Sequence, residues 1–461
     1  MATHYVLKFK QGELSSLRAR ILEDLSRESF VILFGKKESI GTHEIINVIE
    51  ARFPNTSDYN ARGIAHLGMS KDFIYDILVE ITNRYDIDTI IDVHTHPFCR
   101  SKVSFSSVDD RDEIGFFEFL NERFENLHYA SIVFSQSEYS ARVWKYQKKS
   151  VGPCYALIKT QTIREKISSS DFMENTDRQY ERDAVDNTDG FFNRGALALG
   201  LDVMRQIMHG QTLSIVGVGG LGSIIAEHLI HMGFHKINLI DPDILEISNM
   251  NRIVGAYYRD AEENRAKVDV VKKHLDRINP HASVSAYKND IHDKIVEEVL
   301  AISDWLILST DNHSSRFRTQ QIALQYFVPL ISVGVNISVQ DGAIEDMSGE
   351  VITIRVGDKI CLNCLNRINP IKVAHERHPD PSIRNELEKR GYVVGRDVKE
   401  PAVKTLNAFL ATLAVDVLIN QYTEHQKHIP ILVFENNKYK AIYEDRESLS
   451  LRNKNCFTCN I

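Results

Sequence analysis

The alternation of hydrophobic and polar positions over the first 150 residues predicts helices and strands in turn. Apolar side chains recur at helical spacing over residues 11–28 and 70–85, and Ser70 is a suitable N-cap for the second helix. A third helix is predicted over residues 107–124. β-Branched and aromatic runs predict strands at residues 30–35, 44–53, 89–93, 128–135 and 138–146. Residues 1–150 are therefore expected to form one α/β domain.

The pattern changes after this domain. Residues 151–190 are rich in polar and charged side chains and predict a linker. Beyond it, the apolar run from Thr212 to Val216 leads into a glycine-rich turn, GVGGLGS, and then into an apolar helical pattern. A strand, a tight glycine turn and a helix in that order form a nucleotide-binding βα unit. Residues 191–461 are therefore expected to form a second, Rossmann-like α/β domain.

Each glycine of this turn has a physical reason. Gly217 permits the sharp turn, Gly219 lets the backbone approach a phosphate or ribose, and Gly222 brings helix and strand together. Asp241 follows the next apolar run, at roughly the 20-residue offset where an acidic side chain meets a ribose hydroxyl. A lone glycine motif is weak evidence, and an ordinary NAD-binding domain is the alternative.

The residues beyond the second strand of this unit favour a triphosphate over NAD. Asn249, Asn251 and Arg252 lie on a polar segment, and arginine forks and asparagine amides suit phosphate oxygens. Asp311 follows a later apolar run, at the carboxyl end of a parallel strand, where a carboxylate could hold Mg²⁺. Lys267 begins a charged helix, where solvated lysines are also common.

The second domain resembles the ubiquitin-activating-type adenylyltransferases, the ThiF- and MoeB-like proteins. The resemblance rests on GVGGLGS, the segment from Asp241 to Arg252, Lys267, the Asn279–Pro280 pair, TDN at 310–312 and two CxxC pairs. It implies that ATP is held by Gly217, Gly219, Gly220, Gly222, Asp241, Asn249, Arg252 and Lys267. It further implies that Asp311 carries Mg²⁺, and that Arg194 reaches the ATP site of a partner subunit. A homodimer is therefore expected.

The cysteines point to metal rather than to disulfides. Six cysteines in 461 residues are too few for a disulfide scaffold, and four of them form two CxxC pairs. Four thiolates suffice for a closed, structural zinc site, whereas a redox role for either pair is the alternative. The four are Cys361, Cys364, Cys456 and Cys459.

The second domain departs from its family at one step. Ubiquitin-activating enzymes carry a nucleophilic cysteine before the final helix, and residues 365–455 contain none. The two remaining cysteines, Cys99 and Cys154, lie outside this domain. We therefore expect the chain to stop at an acyl-adenylate and to pass it to a partner that carries the transfer cysteine.

A second constellation follows a predicted strand of the first domain. His94 and His96 alternate on an extended backbone, which places both imidazoles on one face, and Ser106 and Asp109 begin a helix further along. Two histidines and one carboxylate leave a position for water, as in open catalytic zinc sites, and Glu28 could act as a base on that water. The simpler interpretation is that S-x-x-D only caps a helix.

Glutamate, strand, H-T-H-P and S-x-x-D, in that order, resemble the JAB (JAMM, MPN-type) zinc isopeptidases over residues 1–150. The resemblance implies three kinds of site residue: zinc ligands at His94, His96 and Asp109, a general base at Glu28, and an oxyanion-side donor at Ser106. The spacing from the second histidine to the aspartate is longer than the usual pattern by about two residues. Asp110, with Ser107, is therefore the alternative pair.

Composition and charge limit the partners. A hydrophobic content of 43%, a charged content of 26% and a formal net charge of −8 are ordinary for a soluble globular protein and give no basic character suited to nucleic acid. No apolar run reaches the roughly 18 residues of a membrane span, and the first residues lack the apolar core of a secretory signal. We expect a cytoplasmic protein that binds neither nucleic acid nor membranes.

The two resemblances together imply a bifunctional enzyme. The first domain would cleave after the C-terminal glycine of a ubiquitin-like or sulfur-carrier protein, and the second would adenylate the exposed carboxylate. Fusions of this kind look like those of bacterial ubiquitin-like modification systems, including antiviral defence systems, which is an analogy at the level of the fold. Two alternatives remain: one half is silent and docks the partner, or the second domain adenylates a peptide or nucleoside.

Overall fold

The computed structural model describes residues 3–64, 66–146, 153–161, 168–169, 192–378, 380 and 403–459. The chain divides into two compact units, residues 1–184 and residues 185–461. Each unit contains an eight-stranded sheet of its own. Among the described residues, no helix is both long enough and apolar enough to cross a bilayer.

The first unit is a mixed sheet with helices on it. Its strands are β1 (His4–Lys8), β2 (Phe30–Ile40), β3 (His43–Arg52), β4 (Tyr59–Arg62), β5 (Leu67–Met69), β6 (Thr89–Thr95), β7 (His128–Phe134), β8 (Glu138–Tyr146), β9 (Pro153–Gln161) and β10 (Ser168–Ser169). Its described helices are α1 (Glu13–Ile21), α2 (Lys71–Thr82) and α3 (Ser107–Arg123). Strands β4 and β5 form a separate hairpin, and the sheet order is β10-β8-β7-β6-β2-β3-β1-β9.

The sheet separates two apolar cores. Helix α1 covers one face, and helices α2 and α3 cover the other. Strand β6 is buried along its whole length and alternates between them, since Ile91 and Val93 join the first core and Ile90 joins the second. Asp92 and His94 share the side of Ile90, so they face the layer that contains α3.

Helix α1 is shorter than predicted. The prediction ran over residues 11–28, whereas the helix spans Glu13–Ile21. The carboxylate of Asp24 accepts hydrogen bonds from the backbone N–H of Ser26 at 3.0 Å and from its hydroxyl at 2.5 Å. Because such a local turn competes with helical hydrogen bonding, the C-terminal half of the prediction was wrong. Leu25 of the predicted apolar stripe is 44% exposed.

The boundary of the first unit also differs from the prediction. Strand β9 lies in the segment interpreted as a linker, yet it pairs in parallel with β1 and antiparallel with β8. The sheet therefore extends beyond residue 150, because β9 completes two ladders. Apart from β9 and β10, the predicted linker at 151–190 lies outside the described residues.

The second unit is an α/β sheet extended by an antiparallel part. Its strands are β11 (Thr212–Val216), β12 (Lys236–Ile240), β13 (Ser283–Tyr287), β14 (Trp305–Leu308), β15 (Leu330–Gln340), β16 (Ala343–Ile354), β17 (Ile431–Asn436) and β18 (Lys440–Glu444). Its described helices are α4 (Asn193–Leu199), α5 (Leu201–Gly210), α6 (Gly222–Met232), α7 (Tyr258–Glu262), α8 (Lys267–Ile278), α9 (Lys294–Ala301), α10 (His313–Gln325), α11 (Pro370–Glu376), α12 (Lys404–Thr423) and α13 (Arg446–Leu451).

The topology of this sheet sets the position of the site. The strand order is β13-β12-β11-β14-β15-β16-β17-β18. Strand β11 pairs in parallel with both β12 and β14, whereas β15 to β18 pair antiparallel in sequence. The carboxyl ends of β11, β12 and β14 therefore meet at one edge, where open α/β sheets bind their ligands. Helix α12 packs against α6 and against β15 and β16.

Candidate functional site

In the first unit, strand β6 and helix α3 bring the three predicted zinc ligands together. The Nε2 atom of His94 lies 3.4 Å from Oδ1 of Asp109, and Nε2 of His96 lies 3.5 Å from Oδ2 of the same carboxylate. One possible ligand atom from each residue lies within 4.8 Å of the other two. Both histidines are buried, so the side chains singled out by the sequence pattern form one cluster beneath the surface.

Helix α3 begins with a capping box that involves the same aspartate. The Ser106 hydroxyl oxygen accepts from the Asp109 N–H at 3.2 Å, and the Ser106 N–H donates to Oδ2 of Asp109 at 2.5 Å. Capping and metal ligation are therefore compatible in this geometry. The hydroxyl hydrogen of Ser106 remains available to donate, because its oxygen serves the cap as an acceptor.

The alternative ligand, Asp110, is engaged elsewhere. Its Oδ1 atom accepts a hydrogen bond of 2.5 Å from the guanidinium of Arg142, a side chain that is only 1% exposed. The structure thus brings Asp109 to the two imidazoles and directs Asp110 to a buried arginine. Ser107, the other half of the alternative pair, is the first residue of α3.

Glu28 lies directly before β2 and is 7% exposed. Its backbone N–H donates to the carbonyl of Gly63 at 2.7 Å, and its carbonyl accepts from Nε of Arg62 at 2.8 Å, so the β4–β5 hairpin fixes its backbone. Burial raises the pKa of its carboxyl to about 7, with His94 opposing the shift and Asp109 adding to it. A carboxyl that titrates near neutrality suits a proton acceptor.

The pKa shifts of His96 and Asp109 match a zinc ligand set, whereas for His94 burial is outweighed by the neighbouring Asp109, which raises its pKa. Burial, followed by the neighbouring His94, lowers the pKa of His96 to about 4, so its imidazole is neutral at pH 7. Burial works against ionisation of Asp109, but its attraction to the neighbouring His94 outweighs burial and lowers its pKa. Nε2 of His94 is buried without a hydrogen-bond partner among the described atoms. Imidazoles and one ionised carboxylate are donors that zinc uses at open sites.

In the second unit, the glycine turn joins β11 to α6. Gly217 adopts φ +90°, and a Cβ added there would lie 2.8 Å from Cγ2 of Thr310. A Cβ at Gly222 would lie 1.9 Å from the carbonyl oxygen of Gly217, whereas one at Gly219 would have no neighbour within 4 Å. The turn is therefore closely packed at two glycines and open at the third. The N–H of Ser223 at the start of α6 donates to the carbonyl of Gly219 at 3.0 Å, and the remaining N–H groups of a helix N-terminus suit an anion.

Asp241 ties the end of β12 to this turn. Its carboxylate accepts from the N–H of Val218 at 2.7 Å and from the N–H of Asp243 at 3.0 Å. Burial raises its pKa, while Lys267 and the two backbone donors oppose the shift. The ammonium of Lys267 lies 2.7 Å from Oδ2 of Asp243 and its side chain is 13% exposed, so it is held at the site and is not a solvated surface lysine.

Asp311 lies at the carboxyl end of β14, beside the glycine turn. The preceding Ser309 donates its N–H to the carbonyl of Val216 at 2.9 Å and its hydroxyl to the carbonyl of Gly217 at 2.7 Å. Asn312 caps α10 by accepting from the N–H of Ser315 at 2.7 Å. The Asp311 side chain is left exposed between these two anchored segments.

The residues of the polar segment after Asp241 differ in whether their side chains reach the glycine turn. The stem of Arg252 reaches the turn, because a Cβ on Gly220 would lie 2.9 Å from its Cδ atom. Asn249 is buried, and its Oδ1 atom accepts from the N–H of Glu246 at 3.2 Å to cap a 3₁₀ turn over Ile247–Asn249. Arg194 is exposed on the first turn of α4, which is a position in the second unit where a side chain can reach outward.

The four paired cysteines form one buried cluster. The sulfur atoms of Cys361 and Cys456 lie 3.6 Å apart, and those of Cys364 and Cys459 lie 4.0 Å apart. These distances exclude disulfide bonds of about 2.05 Å and agree with the spacing of about 3.8 Å expected in a tetrahedral site with Zn–S bonds of about 2.3 Å. Burial raises the pKa of the Cys459 thiol to about 12, so a cluster of thiolates here needs a cation.

One further side chain at the nucleotide edge was missed in the sequence. Asn407 on α12 is 3% exposed, and its Nδ2 atom lies 2.5 Å from the position that a Cβ on Gly220 would take. Its Oδ1 atom is buried without a hydrogen-bond partner among the described atoms. An asparagine near the start of a largely apolar helical run was the available signal.

Comparison with known proteins gives several related sequences. The molybdopterin-synthase adenylyltransferase of Escherichia coli K12 is 28% identical over 179 residues, which is 38% of this chain and 68% of that protein. The tRNA threonylcarbamoyladenosine dehydratase of Bacillus subtilis 168 is 31% identical over 142 residues, 31% of this chain and 55% of that protein. The adenylyltransferase and sulfurtransferase UBA4 of Meyerozyma guilliermondii is 24% identical over 220 residues, 47% of this chain and 45% of that protein.

Among solved structures, E. coli MccB with succinimide aligns over 60% of this chain and 80% of its own, at 17% identity and a TM-score of 0.43. The matched part of this chain thus spans between 45% and 68% of the length of the three curated relatives. The model of the ThiF family matches residues 192–458. This match covers more than half of the chain, including the glycine turn, Asp241, Asp311 and three of the four clustered cysteines, and this protein therefore belongs to the ThiF family.

Proposed function

We propose that the second unit uses ATP to adenylate a carboxylate. The observation that carries the proposal is the convergence of the glycine turn, Lys267, Arg252 and Asp311 at one edge of the sheet. Ser309 joins two of these elements directly, because it donates to Gly217 and precedes Asp311 by two positions. Two of the three relatives described above are named as adenylyltransferases.

Different residues bind the phosphates, neutralise their charge and hold Mg²⁺. The open backbone at Gly219 and the remaining N–H groups at the start of α6 receive the phosphates, and Arg252 and Lys267 neutralise their charge. Asp311 would hold Mg²⁺, which supplies further positive charge to the triphosphate when bound. The substrate carboxylate attacks the α-phosphorus, a new P–O bond forms, and the bond to the leaving pyrophosphate breaks. Alignment and electrostatic stabilisation carry such a step.

The substrate we propose is the C-terminal carboxylate of a ubiquitin-like or sulfur-carrier protein. Its support is the similarity to the molybdopterin-synthase adenylyltransferase and to UBA4. A modified nucleoside is the second candidate, because the B. subtilis relative is named for a threonylcarbamoyladenosine substrate and is 31% identical over its matched part. Arg194, exposed on α4, would serve the ATP site of a second copy, which makes the proposed enzyme a homodimer.

For the first unit we propose zinc-dependent peptide or isopeptide cleavage after the terminal glycine of the same kind of partner. His94, His96 and Asp109 would hold zinc, which polarises a bound water when present. Glu28 accepts a proton from that water and later returns it to the leaving amine. The Ser106 hydroxyl donates towards the developing oxyanion. The support is the buried cluster of these side chains and the near-neutral pKa of Glu28.

For the four-cysteine cluster we propose a structural zinc ion. The sulfur spacing fits tetrahedral coordination, and the two pairs are far apart in sequence, so a metal would tie the last residues to the body of the unit. The adenylation chemistry does not pass through this cluster.

The experiment that tests both proposed activities uses the purified full chain. ATP–pyrophosphate exchange is measured with a ubiquitin-like protein ending in Gly-Gly, with a sulfur-carrier protein and with a threonylcarbamoyl nucleoside. The same ubiquitin-like protein carrying a C-terminal extension is offered without ATP. Pyrophosphate exchange with either protein substrate supports the main proposal, and exchange with the nucleoside alone supports the second candidate. In the cleavage assay, an extension that stays intact at full zinc occupancy contradicts the peptidase proposal.

A further inference from the structure

A buried polar network lies behind His94 and takes no part in the steps described above. Asp92, two residues before His94 on β6, is 8% exposed, and Glu113 on α3 is 5% exposed. An oxygen of each carboxylate and a ring nitrogen of His94 lie within 4.8 Å of one another. Two buried carboxylates therefore face one imidazole from two different elements.

Each carboxylate is held in place by one of its oxygens. Oε2 of Glu113 accepts from the Ser131 hydroxyl at 2.5 Å, from the Trp144 indole N–H at 2.6 Å and from Nε of Arg142 at 2.9 Å. One oxygen of Asp92 accepts from the Tyr129 hydroxyl. The orientation of both groups is thus fixed by donors from the neighbouring strands β7 and β8.

The second oxygen of each carboxylate has no donor. Oδ1 of Asp92 and Oε1 of Glu113 are buried and lack a hydrogen-bond partner among the described atoms, as does Nε2 of His94. Buried acceptors are rarely left unsatisfied, and two carboxylate oxygens in one cluster need an explanation. Both oxygens belong to residues that approach His94 within 4.8 Å, whereas Nε2 of His94 is the ring atom that faces Asp109.

Charge balance gives the explanation. Arg142 is the guanidinium of this network, and it is shared between Glu113 and Asp110. The donor identified at Asp92 is a neutral phenol. With both carboxylates ionised, the interior beside His94 carries an excess of negative charge, and a buried negative charge is costly unless a positive group compensates it. A divalent cation on His94 would supply that positive charge.

We propose that Asp92 and Glu113 are positioning residues for the metal ligand His94. They accept the ring N–H that faces away from the metal and offset the charge that the metal brings, so that the imidazole is held in one tautomer and orientation. Arg142 links this pair to Asp110, the neighbour of the proposed ligand Asp109, so both ligand-bearing elements are braced by one network. This inference rests on the proposed zinc-dependent cleavage.

The test compares zinc affinity in Asp92→Asn and Glu113→Gln with wild type, in the full chain, by competition with a chromophoric chelator. Both changes keep the size of the side chain and remove its charge. We expect zinc at the histidine site to bind about 10- to 100-fold more weakly in each variant. Glu80→Gln is the matched control, because Glu80, on α2, pairs with Arg52 and Arg84 away from His94, and its loss should leave zinc affinity unchanged.

Cobalt substitution separates this site from the four cysteines. Co²⁺ bound by thiolates gives ligand-to-metal charge-transfer absorption, which a site of histidines and aspartate lacks. We expect the visible bands of the histidine site to shift and weaken in both variants while the thiolate absorption stays as in wild type. A purely structural role would lower the melting temperature without changing these bands.

The zinc affinities and cobalt spectra of the variants separate the positioning role from the proposed cleavage. If Glu113→Gln fails to fold because Arg142 loses its partner, Asp92→Asn still tests the inference, since an amide oxygen can accept from Tyr129. Wild-type zinc affinity and cobalt spectrum in Asp92→Asn would overturn the positioning role while the proposed cleavage stands. If wild type itself binds no zinc that depends on His96, the proposed cleavage fails and this inference fails with it.

Discussion

Gln320, buried in helix α10, holds the first cysteine pair through Leu362, whose backbone N–H donates to its side-chain oxygen. The Nε2 atom of Gln320 also donates to Oδ1 of Asn363 at 2.6 Å. Helix α10 begins two residues after Asp311, the proposed Mg²⁺ ligand. The helix that positions the nucleotide edge is thus hydrogen-bonded to the cysteine cluster, and damage to one is expected to reach the other.

Gln320→Leu should destabilise the second unit. The substitution leaves the Leu362 N–H and the Asn363 side chain without their partner in a buried place, a loss of roughly 1–3 kcal/mol in the free energy of unfolding. Chemical denaturation measures it, and Gln321→Leu, the less buried neighbour on the same helix, is the control. Equal stability of the two variants would show that the hydrogen bonds of Gln320 to Leu362 and Asn363 do not stabilise the unit.

Removal of the metal proposed for the four cysteines should lower stability before it alters chemistry. A structural zinc ion contributes directly to the free energy of folding, so Cys361→Ser or a chelator should reduce the melting temperature first. Melting and pyrophosphate exchange are measured on the same samples. If Cys361→Ser loses activity while it keeps wild-type melting and metal content, Cys361 would have to be reassigned as a nucleophile.

Glu28→Gln should abolish cleavage and leave zinc bound. The change removes a proton acceptor but none of the three proposed ligands, and its backbone contacts to Gly63 and Arg62 are kept. Metal content and cleavage of an extended substrate are measured together. Wild-type cleavage by this variant would show that the base lies elsewhere.

Asp311→Asn should reduce pyrophosphate exchange by at least ~10²-fold, by comparison with the loss of single electrostatic contacts in other active sites. The variant loses the carboxylate that is proposed to hold Mg²⁺, whereas the fold should be intact because the side chain is exposed. Asp341→Asn, in the turn between β15 and β16, makes the same chemical change away from the glycine turn and is the control. Full activity in Asp311→Asn would refute its role.

The second unit should form an acyl-adenylate but no thioester. Residues 365–455 contain no cysteine, and the four paired thiols are buried in one cluster. Enzyme, ATP and the cognate ubiquitin-like protein are incubated and resolved on a denaturing, non-reducing gel, where we expect no thiol-sensitive adduct. An adduct that disappears with reductant would overturn this prediction, and mapping it to Cys99 or Cys154 would identify the transfer cysteine.

Local patterns predicted the elements that carry the chemistry. Helix α2 begins where Ser70 indicated, with its hydroxyl oxygen accepting from the N–H of Phe73 at 3.1 Å. Strand alternation likewise placed the imidazoles of His94 and His96 on one face, and the family resemblance added Asp109 to them. Such features depend on a few neighbouring residues, and the sequence contains all of them.

Features that depend on distant partners could not be predicted in this way. Strand β9 looked like part of a linker because its partners, β1 and β8, lie elsewhere in the chain. Asp92, Glu113 and Arg142 are ordinary charged residues in sequence, and only the folding of β6, α3 and β8 buries them together. The choice between Asp109 and Asp110 likewise depended on a guanidinium more than thirty positions away.

The capping box at Ser106 and Asp109 has a consequence for how such a domain changes over generations. A copy that no longer cleaves anything would still need these two residues to start helix α3, so selection for folding alone would preserve S-x-x-D. The carboxylate of Glu28 does no such work, because its backbone makes the contacts with Gly63 and Arg62. In descendants of this chain without the proposed cleavage activity, drift should therefore be seen first at Glu28 and last at the helix start.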